Sequence, residues 1–372
     1  MADHLLELAD VESADGSCAN GNKHNRWHPA IRPALRISSG DTVEMQIRDA
    51  SDGQMARVRK GLADMSTVNF GRAHALTGPI FIEDAEPGDL LRVDILRIVT
   101  GPEGFTATLP GRGLIPEEFP GPIQAYWDLD SGFATSETIG GVRIPAAPFM
   151  GILGVAPSLE RLRRVNKRER AIAETGALVM PPSAAGALPA DPSIADEAWR
   201  TTAAHEVGGN MDIRQVVEGA SMYLPVDVPG ALFSAGDGHF AQGDGETCGT
   251  AIETSTTLTV RLGLLKGEAI RRNQTNPTFT VPSATTGSDD GEIFCTTALS
   301  VTRDDAVSFL DASLAARNAL LMMVDAIAFD YGLSRENAYL VASVAGRLSI
   351  SSIVNVPHAQ VSMSIPRNIF TG

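Results

Sequence analysis

The run "GDLLRVDILRI", residues 88–98, decides how the chain is read. Leu91, Val93 and Ile95 fall on one side and Arg92 and Asp94 on the other. This is the period-two alternation of a half-buried β-strand, whose successive side chains point to opposite faces. The pattern occurs upstream in "DTVEMQIRDA", where Val43, Met45 and Ile47 alternate with Thr42, Glu44, Gln46 and Arg48. Each run is introduced by Gly-Asp, at Gly40-Asp41 and Gly88-Asp89, and these dipeptides read as turns. The match of "SSGDTVEMQI" with "EPGDLLRVDI" hints at a duplicated hairpin unit. Downstream, "IETSTTLTVRLGLL" sets Ile252, Thr254, Thr256, Leu258, Val260 and Leu262 against Glu253, Ser255, Thr257, Thr259 and Arg261. The closing "AQVSMSIP" puts Val361, Met363 and Ile365 on one face.

A helical period emerges only near the end. Val307, Leu310, Leu314, Leu321, Val324 and Ile327 fall at spacings of three, four and seven after the acidic start Asp304 and Asp305. Gly332 ends that helix; Ser334 caps a second one, with Glu336 in its first turn and Gly346 at its exit. The expected fold is α+β and predominantly β: an antiparallel, sandwich- or barrel-like body with a helical pair near the C-terminus. Residues 1–160 form a β-rich N-terminal part. Residues 161–200, first basic and then rich in alanine and proline, show no sustained period and read as a surface excursion whose arginines face solvent. Residues 201–372 form the C-terminal α+β part, and the three parts make one compact unit.

Composition narrows the function classes. With 372 residues, 43% hydrophobic and 20% charged, the chain can bury a sizeable core, and 36 glycines with 22 prolines suit many turns between short strands. A formal net charge of -15 argues against nucleic acid, which needs a basic surface. Neither an export signal nor an uninterrupted apolar run of ~18 residues is visible, so no membrane association is expected and the cytoplasm is the expected location. Cys18, Cys248 and Cys295 are widely separated and odd in number, which fits free thiols in a reducing compartment.

The chemistry concentrates in "GALFSAGDGHFAQGDGETCGTAIE", residues 230–253. It threads Asp237, His239, Gln242, Asp244 and Glu246 through a glycine-rich backbone that permits positive φ and close approach to a ligand. A series of tight turns, a bound hard cation and a hydrolytic centre all fit such a run. The order of an EF-hand is missing. A second cluster, "HEVGGNMDIRQ", carries His205, Glu206, Asn210 and Asp212. A third, "HALTGPIFIEDAEPGD", carries His74, Glu83, Asp84, Glu86 and Asp89, and "HNRWH" carries His24, Trp27 and His28, with Trp27 a core or rim aromatic. There is no GxSxG elbow, Walker loop or HExxH, and Cys248 lacks an evident partner base.

Together, "HALTGPIFIEDAEPGDLLRVDIL", "PFMGILGVAP", "GGNMDIRQ", "LPVDVPGALFSAGDGHFAQGDGETCGTAIE" and "GLSRENAYLVASVAGRLSISSIVN" resemble the acetamidase/formamidase family, in the family's order. The resemblance implies a β-rich α+β fold, a homo-oligomer, and hydrolysis of short-chain amides such as formamide or acetamide to a carboxylate and ammonia. It also implies a bound divalent metal. The sequence departs from the family pattern at His28 and at Asp84.

An amide needs its carbonyl polarised, a water made nucleophilic and a proton for the departing nitrogen. On this reading Asp212, Asp237 and His239 hold a divalent cation, with His24 as an extra ligand. Zinc suits carboxylate and imidazole; calcium or magnesium suits a more oxygen-rich site. Glu83 or Glu246 acts as base and proton shuttle, His74 and Asn210 orient the amide, and Gln242 is a further substrate contact. Two other classes fit the same residues: a calcium-stabilised non-catalytic β scaffold or binding module, and an amidohydrolase for a larger amide or urea-like compound.

Overall fold

The computed structural model describes residues 2–8, 21–61, 65–130, 132–282 and 291–370. Cys18 lies outside them. Among the described residues, two large sheets dominate. The larger has nine strands in the order His4–Leu6, Thr42–Ile47, Thr256–Leu265, Leu90–Thr100, Ser221–Pro225, Thr278–Val281, Ile293–Leu299, Gln360–Pro366 and Arg347–Ser352. The smaller has seven strands and runs Ala204–His205, Gly208–Asn210, Phe149–Gly154, Phe233–His239, Leu76–Ile82 and Lys23–His24, with Leu35–Ile37 also paired to Leu76–Ile82. Most pairings are antiparallel; His4–Leu6 with Thr42–Ile47 and Leu35–Ile37 with Leu76–Ile82 are parallel. A four-stranded sheet, Glu103–Thr108 to Arg143–Pro145, completes the body.

The two alternating runs quoted above flank one strand. Thr256–Leu265 pairs with Thr42–Ile47 on one side and Leu90–Thr100 on the other. Their Gly-Asp turns are alike in space. Asp41 accepts from the Ser38 N–H and Asp89 from the Glu86 N–H, each at 2.9 Å, after Gly40 and Gly88 at φ 102° and 96°. The duplication is therefore of a turn and the strand that follows it. Alternation puts Val43, Met45, Leu91, Val93, Ile95, Leu258, Val260 and Leu262 into a core shared with Leu76, Ile80, Ile152, Phe233 and Ala235 of the smaller sheet. Each such side chain contributes roughly 1.5–3 kcal/mol by leaving water.

The period slips once. Leu96 and Arg97 are both exposed and Ile98 returns to the core, where the register with Thr256–Leu265 shifts between Thr259 and Val260. One extra residue in one strand does this without breaking the pair.

The helical pair is Ala312–Tyr331 and Arg335–Ala345. Gly332 (φ 65°) closes the first, and the Ser334 hydroxyl caps the second by accepting from the Asn337 N–H at 3.2 Å. The first helix starts later than its acidic lead-in suggested, because Asp311 is the residue that accepts from the Leu314 N–H, at 2.9 Å. By length and composition Ala312–Tyr331 could cross a bilayer, but its Ala315, Ala319, Met323 and Ile327 pack on Val361, Met363 and Ile365 of the larger sheet.

The stretch 161–200 has a period after all. Leu159–Ala173 is a helix capped by Ser158, and Leu162, Val165, Asn166 and Glu169 face inward at spacings of three and one turn. Four of its five arginines are paired: Arg161 with Asp227, Arg163 with Glu197, and Arg164 and Arg168 with Glu206 and Asp305.

The slipped register has a direct test in urea unfolding. Ile98→Ala is expected to cost about 2–5 kcal/mol, and Leu96→Ala less than about 1 kcal/mol. Equal losses would mean that the alternation runs on without a bulge.

Candidate functional site

Strand Phe233–His239 lies between Phe149–Gly154 and Leu76–Ile82 in the smaller sheet. Asp237 and His239, two residues apart, share one face of it. On the neighbouring strand that face meets Gly151, and here glycine is required by space. A Cβ on Gly151 would stand 2.5 Å from Asp212 Oδ1, 2.7 Å from Asp237 Oδ2 and 2.9 Å from His239 Cε1. Asp212 reaches the same point from the turn after strand Gly208–Asn210, and its N–H bonds the Gly151 carbonyl at 3.2 Å. Two carboxylate oxygens and the edge of the His239 ring, from two separate sequence clusters, thus meet where a side chain has been left out.

Two carboxylates join them. Ligand atoms of Asp212, His239 and Glu246, and of Asp237, His239 and Glu253, lie within 4.8 Å of one another in each set, and all five residues are buried. His239 Nε2 is 3.2 Å from Glu253 Oε2 and 3.5 Å from Asp237 Oδ1. Asn355 Nδ2 donates to Asp212 Oδ2, and Glu253 Oε1 accepts from the Ala251 N–H at 2.9 Å. Asp212 Oδ1, Asp237 Oδ1, both His239 ring nitrogens and Glu253 Oε2 are buried with no hydrogen-bond partner.

Crowded charge shows in the protonation equilibria. Burial, reinforced by Asp237, pushes the Asp212 carboxyl up to about 6. Burial and then Asp237 push Glu253 up to about 8, and burial and then Asp212 hold Glu246 well above the usual carboxylate range. For Asp237 burial is outweighed by the His74 and His239 imidazoles, and its carboxyl stays below that range. Burial acts against the His239 imidazolium, but Glu253 and Asp237 overcome it and raise that group well above its ordinary value.

These features fit a divalent cation. The orphaned donor atoms are aimed at one another, the cradle exists because Gly151 has no Cβ, and carboxylate oxygens with an imidazole nitrogen are ligands such ions take. Asp212, Asp237 and His239 fall in two ligand sets that overlap at His239, one completed by Glu246 and the other by Glu253, and either could hold the ion. In front of them opens a cavity of about 410 Å³, walled by His74, Asn210, Asp237, Glu246 and Glu253 and, on its apolar side, by Met55, Phe70 and Phe105.

The structure therefore brings together Asp212, Asp237, His239, Glu246, His74 and Asn210. Gln242 stands behind them, its amide donating to the Asp212 carbonyl at 3.1 Å and to the Ser351 carbonyl at 3.3 Å, so it supports the backbone that carries Asp212 and does not line the cavity. Glu83 is elsewhere. It is half-buried just past strand Leu76–Ile82, away from the cavity, and forms a two-pronged ion pair with Arg36, at 2.9 and 3.2 Å, which does not fit the base expected there. His24 is also corrected as a ligand: Nδ1 bonds the Arg26 carbonyl and Nε2 the Ser234 hydroxyl, both at 2.8 Å, which occupies both ring nitrogens.

Sequence reasoning missed Glu253 and Asn355. Glu253 had been placed on the outer face of an extended strand. That strand begins only at Thr256, and Glu253 instead bridges to His239 and Phe105 and turns inward. A signal for Asn355 was present, a lone amide between Val354 and Val356.

The model of the Acetamidase/Formamidase family matches residues 12–372. A formamidase from Methylophilus methylotrophus is 34% identical over 373 residues, covering 94% of this chain and 90% of the relative. An acetamidase from Mycolicibacterium smegmatis is 34% identical over 346 residues, covering 86% and 84%. Among solved structures, a gamma lactamase from Delftia acidovorans superposes with a TM-score of 0.70 at 29% identity, covering 99% of this chain and 94% of that one.

Gly151 offers the sharpest test of the convergence. Gly151→Ala should keep its circular-dichroism spectrum and weaken cation binding at this cluster by at least about 10-fold in equilibrium dialysis, the scale on which displaced coordination partners act. Unaltered binding would place the ion, if any, away from this cradle.

Proposed function

The chain belongs to the acetamidase/formamidase family, and on that footing we propose that it is an amidase. It hydrolyses the C–N bond of short linear amides to a carboxylate and ammonia, with a divalent cation held by Asp212, Asp237 and His239. One observation supports this placement of the chemistry: the Asp212, Asp237 and His239 side chains meet over Gly151, and Asp237 among them lines the cavity that His74, Asn210 and Glu246 also wall.

When bound, the cation polarises a carbonyl and makes a bound water more acidic. Zinc is the ion we favour, since three protein ligands of this kind leave an open position in catalytic zinc sites. Glu246 faces the cavity from its own loop, where it would take a proton from the attacking water and return one to the departing nitrogen. Glu253 is a positioning residue: one oxygen is fixed by the Ala251 N–H and the other faces His239 Nε2. His74 and Asn210 reach the cavity beside Asp237 and orient the amide. The apolar wall of Met55, Phe70 and Phe105 receives the acyl chain. One methyl there is worth only about 1–3 kcal/mol, so activities on neighbouring chain lengths overlap.

The volume also admits a small ring amide, the class named for the Delftia relative. Ammonia release from formamide, acetamide and propionamide, set beside ring opening of a γ-lactam, separates the two substrate classes. A protein active on the lactam alone would overturn the linear-amide reading.

Complete removal of the cation by a chelator should abolish ammonia release, and added zinc should restore it. Full activity in the stripped protein would remove the cation from the mechanism and leave the amidase reading intact.

The two glutamates are expected to differ. Glu246→Gln should lower kcat by about 10²–10⁴-fold with cation content unchanged. Glu253→Gln should instead weaken cation affinity by about 10–100-fold and regain turnover in excess zinc. The reverse pattern would exchange their roles.

A further inference from the structure

A second cluster of ligand-type side chains stands outside this cavity. Glu169 comes from the inner face of helix Leu159–Ala173, His205 from strand Ala204–His205, and His358 from the turn before strand Gln360–Pro366. One ligand atom from each lies within 4.8 Å of the other two. Glu169 Oε1 is 3.8 Å from His205 Nδ1 and 3.5 Å from His358 Nε2. The residues are only 7%, 3% and 1% exposed. Yet Glu169 Oε1, His205 Nδ1 and both ring nitrogens of His358 have no hydrogen-bond partner. Protein interiors rarely leave one such atom unpaired, and here one from each of the three residues lies near the other two.

The spacing distinguishes a shared ion from a direct contact. A hydrogen bond between these groups would bring them to about 2.7–3.2 Å. Ligands set tetrahedrally around an ion, each about 2.0–2.2 Å from it, stand about 3.3–3.6 Å apart. Both separations are longer than a hydrogen bond; the one to His358 falls within the range for a shared ion, and the one to His205, at 3.8 Å, lies just beyond it. Beside Glu169 and His205, under Trp199 and Val356, is a void of about 10 Å³, near the ~10–15 Å³ one water occupies, which is room for a fourth ligand. Arg168 acts on Glu169 only through space, its guanidinium being bonded to Glu206 and Asp305 at 2.5 and 2.9 Å.

We propose that Glu169, His205 and His358 form a second divalent-metal site, separate from the catalytic cluster and suited to zinc. Two imidazoles and one carboxylate are ligands zinc takes readily, whereas calcium and magnesium prefer oxygen throughout. Its role is structural: it ties the helix of the 161–200 stretch to the edge of the smaller sheet and to the turn that precedes Gln360–Pro366.

The test uses the full-length protein, stripped with chelator, reloaded with zinc, dialysed and measured for metal per chain. Wild type should hold two equivalents. Glu169→Gln and His358→Gln should each hold one, as should Asp237→Asn, and the Asp237→Asn/His358→Gln double variant should hold none. Zinc should raise the Tm of Asp237→Asn but not that of the double variant. X-ray absorption on zinc-loaded Asp237→Asn, which leaves the second cluster intact, should show two imidazoles in the coordination shell, and this reading stands even where His358→Gln fails to fold. Wild-type stoichiometry in His358→Gln, or a shell without paired imidazoles, would overturn the proposal. A wild type with one equivalent that His358→Gln loses and Asp237→Asn keeps would support this site and reject the catalytic cation.

Discussion

Four carboxylates and one imidazole share the buried space in front of Gly151, and charge of one sign cannot accumulate there uncompensated. An isolated ionised carboxylate in a medium of low dielectric constant is so costly that it takes up a proton instead. The raised Asp212, Glu246 and Glu253 carboxyls express that pressure. A cation relieves it more fully than protons can, because it engages several oxygens together and leaves the imidazole nitrogen a partner. Backbone geometry points the same way. Asp212, Asp237 and Glu246 have φ of 49°, 61° and 52°, left-handed conformations that cost a non-glycine residue about 1–3 kcal/mol each. Strain gathered on three members of one cluster marks a site held in place by its surroundings.

Those surroundings are the paired sheets. Asp237 and His239 sit at the end of a strand that is buried throughout, with Gly238 packed so closely on Thr256 of the larger sheet that a Cβ would lie 2.4 Å from its methyl. The core beneath is continuous from one sheet to the other. A protein whose net stability is about 5–15 kcal/mol can tolerate a strained and under-paired centre only where such packing offsets it. The cluster of Asp212, Asp237, His239, Glu246 and Glu253 lies at the edge of that core, where the strand gives way to the loop bearing Glu246.

Much of this was legible in the sequence, for identifiable reasons. Strands with one buried face announce themselves through alternation, and the helical pair through Gly332 and Ser334. The helix Leu159–Ala173 escaped because its inner face includes Asn166, Arg168 and Glu169, so a search for apolar periodicity passes over it. Asp237 and His239 were visible because so many donor side chains on a glycine-rich backbone exceed what turns require. Glu83 misled because sequence does not show that a parallel pairing brings Arg36 beside it. His24 misled because the partners of its nitrogens come from the backbone and from a residue far along the chain. Glu253 was hidden by extending a true alternation past the point where the strand begins.

The two buried clusters are joined through one short segment. Asn355 donates to the Asp212 side chain and to the Asn210 carbonyl, three residues before His358. Between them Val356 touches both the large cavity and the small void beside Glu169. On the other side, Asn210 follows His205 closely, through a hairpin that pairs Ala204–His205 with Gly208–Gly209. A metal that fixes His205 and His358 would therefore fix both ends of the backbone from which Asn210 and Asn355 reach the catalytic centre. Asp212 has one oxygen aimed at the common point and the other held by Asn355, so its orientation depends on that segment keeping its place. With that metal bound, the helix carrying Glu169 would have a mechanical part in the site although none of its residues needs to touch substrate.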